Sequence, residues 1–173
     1  KLEFARLLPL LTSRNEWMSR QARRVISDRA AAGRDRAMMA AELKREFGRQ
    51  RGRPERLRVI WALNAVGGAD VSWLLERLQR HTRDADEHIR SWAVRLLAER
   101  VFSFRETSTA ERRLKALVAE AERTTSALER LYLASALQHL PTGERLELAR
   151  PLIARREDAT DHFLEVIDPL GAV

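Results

Sequence analysis

The chain has 173 residues, 45% apolar and 33% charged, with 7 Gly and 5 Pro, a balance that excludes a disordered chain and suits one sizeable core or a run of helical hairpins sharing one. The absence of cysteine excludes a disulfide framework, a thiolate zinc site, an iron-sulfur cluster and haem attachment through paired cysteines. The net charge of +7 is lopsided: residues 1–60 hold 16 Lys/Arg against 7 Asp/Glu and the remainder 16 against 18, which argues against one long basic surface tracking nucleic acid.

The sequence opens inside a helical pattern at Lys1-Leu2-Glu3-Phe4, without an initiating methionine, so a piece of a longer protein is expected. Ser13-Arg-Asn-Glu16 fits a capping box, in which Ser takes a free amide at the helix start and Glu reaches back to another. Met18, Ala22, Val25 and Ile26 follow at one-face spacing, and Gly33 marks the stop. Gly48 with Gly52 marks the next stop, Pro54 suits a first helical position, and Gly67-Gly68 closes that helix. Asp70 and Asp86 read as simple N-caps. From Ile89 the apolar residues Ile89, Trp92, Ala93, Leu96 and Leu97 fall on one face. Ser108-Thr-Ala-Glu111 and Ser126-Ala-Leu-Glu129 again fit capping boxes; Leu133, Ala136, Leu137 and Leu140 repeat the apolar face, and Pro141 with Gly143 marks a stop. No stretch alternates apolar and polar residues long enough for a strand, and none is apolar enough to span a bilayer. The expected fold is all-α, with about nine helices of roughly 10 to 17 residues.

These segments align with one another. Asn15-Glu-Trp-Met-Ser-Arg-Gln-Ala22-Arg-Arg24 matches Asp86-Glu-His-Ile-Arg-Ser-Trp-Ala93-Val-Arg95 in its acidic start, central Ala and following Arg. Glu55-Arg56 with Ala62-Leu63 and Val66 matches Glu129-Arg130 with Ala136-Leu137 and Leu140. In register, the four helices begin near Met18, Glu55, Ile89 and Glu129, at intervals of 37, 34 and 40 residues. Two helices per unit at that period is the HEAT range. The expectation is one α-solenoid domain of HEAT-like hairpins over residues 1–173, four to five repeats at approximately 2–32, 34–68, 70–101, 108–140 and a partial 142–170. Ala22, Ala62, Ala93 and Ala136 let packed helices approach, and Arg90 is expected to pair with an acidic group on the next repeat.

Residues 56–70, 86–97 and 130–141, with Asn15-Glu-Trp17 and Ala22-Arg-Arg24, resemble the HEAT segment of the planctomycete-type membrane-bound dehydrogenase-like haem-binding proteins. In that family the segment lies between a sugar-dehydrogenase-like β-propeller and a cytochrome c module carrying a Cys-x-x-Cys-His motif. The resemblance implies an exported or periplasmic parent whose redox chemistry lies outside this segment. No haem ligand carries over, because no cysteine is present. Thr160-Asp-His-Phe-Leu-Glu-Val-Ile-Asp-Pro-Leu170 is shorter and less aromatic than the family's end.

Candidate chemistry is sparse. Asp84, Asp86, Glu87 and His88, and likewise Asp158, Asp161 and His162, carry metal-ligand residue types, but acids gathered at a helix start explain the first group without a metal. His81 and His139 complete the histidines. No Ser/His/Asp arrangement has motif context and no Gly-rich phosphate loop appears, so neither cofactor nor metal is expected. Trp17, Trp61, Trp73, Trp92 and Tyr132 suit gaps between stacked helices, with Trp17 set apart in a first turn of an end repeat. The sharpest candidate is the basic run Lys44, Arg45, Arg49, Arg51, Arg53, Arg56 and Arg58, offset by Glu46 and Glu55, whose guanidinium groups could meet carboxylates or phosphates bidentately. Arg20, Arg23 and Arg24 extend it if their helix face is exposed. The expected function is a non-catalytic scaffold contacting flanking domains or a protein subunit; the alternative is a HEAT-like nucleic-acid-binding module using the basic N-terminal third.

Overall fold

Helix starts and stops are set by local hydrogen bonding, some of it shifted from the sequence expectation. The computed structural model describes residues 3–33, 35–79, 86–100 and 107–155. Among them lie nine α-helices: α1 (Phe4–Leu11), α2 (Glu16–Ala31), α3 (Arg36–Arg49), α4 (Arg53–Ala65), α5 (Val71–Gln79), α6 (Glu87–Ala98), α7 (Thr107–Arg123), α8 (Ala127–Ala136) and α9 (Thr142–Ile153), with a 3-10 turn at Leu137–His139. No strand occurs among the described residues, and no described helix is long and apolar enough to cross a membrane. The starts of α2, α4, α6 and α8 at Glu16, Arg53, Glu87 and Ala127 reproduce the 37, 34 and 40 residue intervals.

The cap of α2 is Asn15, not Ser13: the Asn15 side chain accepts from Trp17 and Met18 amides, while Ser13 Oγ accepts from Asn15 N. Asp86 caps α6 by accepting from His88 N at 3.0 Å. Ser126 caps α8 through Glu129 N, but the other half of that box is missing, since Thr124 takes the Ser126 amide and the Glu129 carboxylate is used elsewhere. Ser108 lies inside α7. Gly48 and Gly143 lie inside α3 and α9 and stop nothing; Gly52 instead precedes α4, with Pro54 in its first turn. Gly67, at φ 76°, ends α4 in a Schellman turn, Gly68 N donating to Leu63 O and Gly67 N to Asn64 O. A Cβ on Gly68 would lie 2.6 Å from the Ala40 side chain, so α3 reaches this turn only because Gly stands there.

The chain packs as two compact units, Lys1–Asp70 and Val71–Val173. In the first, α1 pairs with α2 and α3 with α4, and the second helices α2 and α4 lie side by side. In the second, α5 pairs with α6, α8 lies against α6 and also touches α7, and α9 packs on α7. Each unit is thus a stack of helical hairpins, an all-α helical-repeat fold. Leu7, Leu11, Ile26, Leu43, Ile60 and Leu63 are fully buried in the first unit, and Leu74, Leu78, Leu97, Leu117 and Leu133 in the second. Each such side chain contributes about 1.5–3 kcal/mol by leaving water. Met18 and Val25 depart from the sequence expectation. They are partly exposed while Ala22 and Ile26 are buried, because they lie on the flank of α2 turned away from α4.

Charge is also buried between hairpins of the second unit. Arg90 on α6 donates through Nε and Nη2 to Glu129 Oε1 on α8 at 2.6 and 2.5 Å, and Glu129 is 1% exposed. Thr124 Oγ1 donates to Oε2 of the same carboxylate, and Ser126 Oγ donates to Glu87 Oε2. The pairing expected of Arg90 is therefore made, with the hairpin that follows. Arg113 on α7 similarly meets Glu144 on α9 at 2.5 Å. Glu120 on α7 is fully buried; burial pushes its carboxyl above the usual range, Glu129 adds to the rise, and the Arg123 guanidinium opposes it.

Two outcomes follow for equilibrium unfolding in urea. Glu129→Ala, which removes the buried carboxylate that Arg90 and Thr124 share, should lose about 3 kcal/mol. A carboxyl raised in the folded state stabilises below its unfolded value and loses that contribution as pH rises through its folded value. Glu120→Gln should therefore unfold at higher urea than the parent at pH 7, with the advantage shrinking as pH falls; a constant difference across pH would contradict the assignment.

Candidate functional site

The basic run does not form one surface. Arg58 is buried in α4, donating Nη1 to Ser13 O at 2.9 Å and Nη2 to the Glu16 carboxylate; it ties α4 to the start of α2 and leaves the candidate patch. Arg56 is half-buried, its guanidinium 4.4 Å from the centre of the Phe47 ring. Lys44 pairs with Asp70 at 2.6 Å, Arg45 with Glu42, and Arg49 with Glu46 at 3.4 Å. Arg51 and Arg53 are exposed beside Gly52. The structure therefore leaves Arg45, Arg49, Arg51 and Arg53 around the α3–α4 junction, where Arg45 and Arg49 are paired with carboxylates.

A different group of residues is brought together on the second helices of the first unit. Trp17 stands in the first turn of α2 with 64% of its surface exposed. Arg20, Gln21, Arg24 and Asp28 are exposed on the same helix. At 100° per residue, Trp17, Gln21, Arg24 and Asp28 form one outward stripe, with Arg20 between that stripe and α4. Buried Ser19 anchors the opposite side, its Oγ donating to Leu11 O at 2.8 Å. Arg23 lies on the α4 flank with its guanidinium 5.3 Å from the Trp61 ring centre, so Trp61 is half-buried under an arginine and joins the same surface. The Asn15 cap and the Arg58–Glu16 pair hold the first turn of α2 in place, so Trp17 is presented from a fixed backbone.

The second unit carries a smaller feature, a cleft of about 340 Å³ between α6 and α8 lined by Arg95, Glu99, Leu131, Tyr132, Ser135 and His139. Arg95 donates Nε to Glu99 at 2.7 Å and lies over the Trp92 ring. The Glu99 hydrogen bond holds Arg95 more firmly protonated than usual, and the pair leaves the rim of the cleft electrically balanced. Trp73 is buried beneath Arg77. No group of three or more His, Asp or Glu side chains gathers as metal ligands do among the described residues. His81, Asp84, Asp158, Asp161 and His162 lie outside them.

The Trp17 surface was only half legible. The helical spacing places Trp17 and Arg24 on one face, but nothing in residue order says which face the neighbouring helices leave open. No protein-family profile, no curated protein and no solved structure matches this chain.

The division between packed and surface arginines is checked by urea denaturation. Arg58→Ala should cost about 2 kcal/mol, since the Ser13 carbonyl and the Glu16 carboxylate lose their donor and a buried side chain is removed. Arg51→Ala should stay within about 0.5 kcal/mol of the parent.

Proposed function

We propose that the chain is a non-catalytic helical-repeat scaffold of HEAT type, which holds other protein parts in contact through the outward face of α2. The observation that carries this reading is Trp17: a large aromatic side chain, 64% exposed on a capped helix start, beside exposed Arg20 and Arg24. Trp and Arg are the residues most often found to dominate protein interfaces, and a rigid helix presents them at low entropic cost. The partners would be flanking domains of a longer parent chain or a separate subunit. The resemblance of residues 56–70, 86–97 and 130–141 to dehydrogenase-like haem-binding proteins supports an exported or periplasmic parent, with haem and catalysis in other domains.

One observation favours the nucleic-acid alternative, namely the exposed Arg45, Arg49, Arg51 and Arg53 near the α3–α4 junction. Against it, Arg45 and Arg49 already face Glu42 and Glu46. Phosphate binding by release of counterions needs cations whose charge is still available.

A photo-reactive phenylalanine derivative placed at position 17 of the full parent polypeptide separates the two. Irradiation should give cross-links to polypeptide, mapped by mass spectrometry to a single defined segment. Cross-links to nucleic acid, or none above background, would contradict the scaffold reading.

A further inference from the structure

The chemistry of the α2 face also says what kind of partner fits it. Arg20 and Arg24 are exposed, one turn apart, and neither makes an ion pair or hydrogen bond with its side chain among the described residues. Two acids share this helix: Glu16 is held by Arg58, and Asp28 stands at the far end of the stripe, one turn beyond Arg24, without pairing with it. The face therefore offers two guanidinium groups and an indole within two turns of one helix, flanked by Trp61 under Arg23 and by half-buried Leu57 on α4. The wider charge of residues 1–60, with 16 basic against 7 acidic side chains, draws anionic partners to this part of the molecule.

Two anionic surfaces could answer that charge. A duplex backbone offers evenly spaced phosphates, but its bases are stacked on one another, and covering an indole with them requires unstacking a base step, the energetic cost met by any side chain inserted between bases. An acidic polypeptide offers carboxylates, which guanidinium groups bind bidentately, and also aliphatic or aromatic side chains to bury Trp17. Burying that ring from 64% exposure is the larger gain, and a protein partner supplies it without unstacking bases. We infer that the outward face of α2, built on Trp17, Arg20 and Arg24, is a docking site for an acidic, apolar-bearing polypeptide segment. This rests on the scaffold reading above and narrows its partner.

The test uses the full chain and three probes: a synthetic amphipathic peptide of Glu, Leu and Phe, the same peptide with Gln in place of Glu, and duplex DNA. Binding is followed by fluorescence anisotropy at low and moderate salt. The acidic peptide should bind, weaken as salt rises, and lose affinity by about tenfold or more with Trp17→Ala and with the double variant Arg20→Glu/Arg24→Glu. The Gln peptide should bind more weakly than the Glu peptide. Far-ultraviolet circular dichroism confirms that each variant keeps its helix; because all three side chains are exposed, they should. If a variant unfolds, Trp17→Phe and Arg20→Gln/Arg24→Gln replace it, with intermediate losses expected. Equal or tighter binding of DNA, an unchanged affinity in Trp17→Ala, or no binding of the acidic peptide would each overturn the inference. Should the peptide fail while position 17 still cross-links to polypeptide, the acidic partner is wrong and the scaffold stands; failure of both removes the scaffold too.

Discussion

The Arg90–Glu129 pair is the interaction on which the second unit depends. A hairpin of two short helices cannot bury its own apolar side, so each must lean on the next, and here a charge is carried into that contact. Glu129 accepts from Arg90 and Thr124 with almost no access to water. Taking two charges out of solvent is costly, and the cost is offset only when the geometry leaves few oxygens or guanidinium protons unmet. That condition holds for one relative position of α6 and α8, and the pair thereby fixes how two hairpins stack. Arg113 and Glu144 repeat the device between α7 and α9. In the first unit Arg58 does so between α4 and the start of α2, using a carbonyl as well as a carboxylate.

Much of this was legible from residue order, because a repeat declares itself by period. The four second helices begin at the spacing that their aligned apolar faces require, and Gly67-Gly68 ends α4 where a left-handed residue is needed. Arg90 could be assigned a partner on the following hairpin because an arginine at this place is common in HEAT-type repeats, where it usually pairs with an acid on the next repeat. What escaped is mostly a matter of competition among near-equal local choices. Ser13 and Asn15 are both good caps, and Asn15 is used because it stands directly before the first helical residue. Gly48 and Gly143 read as stops, yet they stand exposed in the last turn of α3 and the first turn of α9, where one glycine costs at most about 1 kcal/mol and does not end the helix. Arg58 reads as part of a basic run because sequence shows charge and not burial.

The same logic explains where a functional surface is free to form. Helix faces turned toward neighbours are committed to Leu, Ile and Ala and to the buried pairs. Among the described residues nothing packs on the outward stripe of α2, which carries Trp17, Gln21, Arg24 and Asp28 with Arg20 beside it. An exposed tryptophan on a backbone fixed by a cap and an ion pair has lost little freedom by being ordered there, so a partner meets it ready to bind. The cleft between α6 and α8, with Arg95 answered by Glu99, lacks that imbalance of charge and apolar surface.

The central claim, that hairpins hold one another through buried charge as well as buried apolar side chains, is tested most directly by native-state hydrogen exchange. Amides of α6 and α8 should exchange together, with the same opening free energy, and in an Arg90→Met variant both should become less protected by a similar amount. Independent exchange of the two helices, or a variant in which only α6 changes, would contradict it.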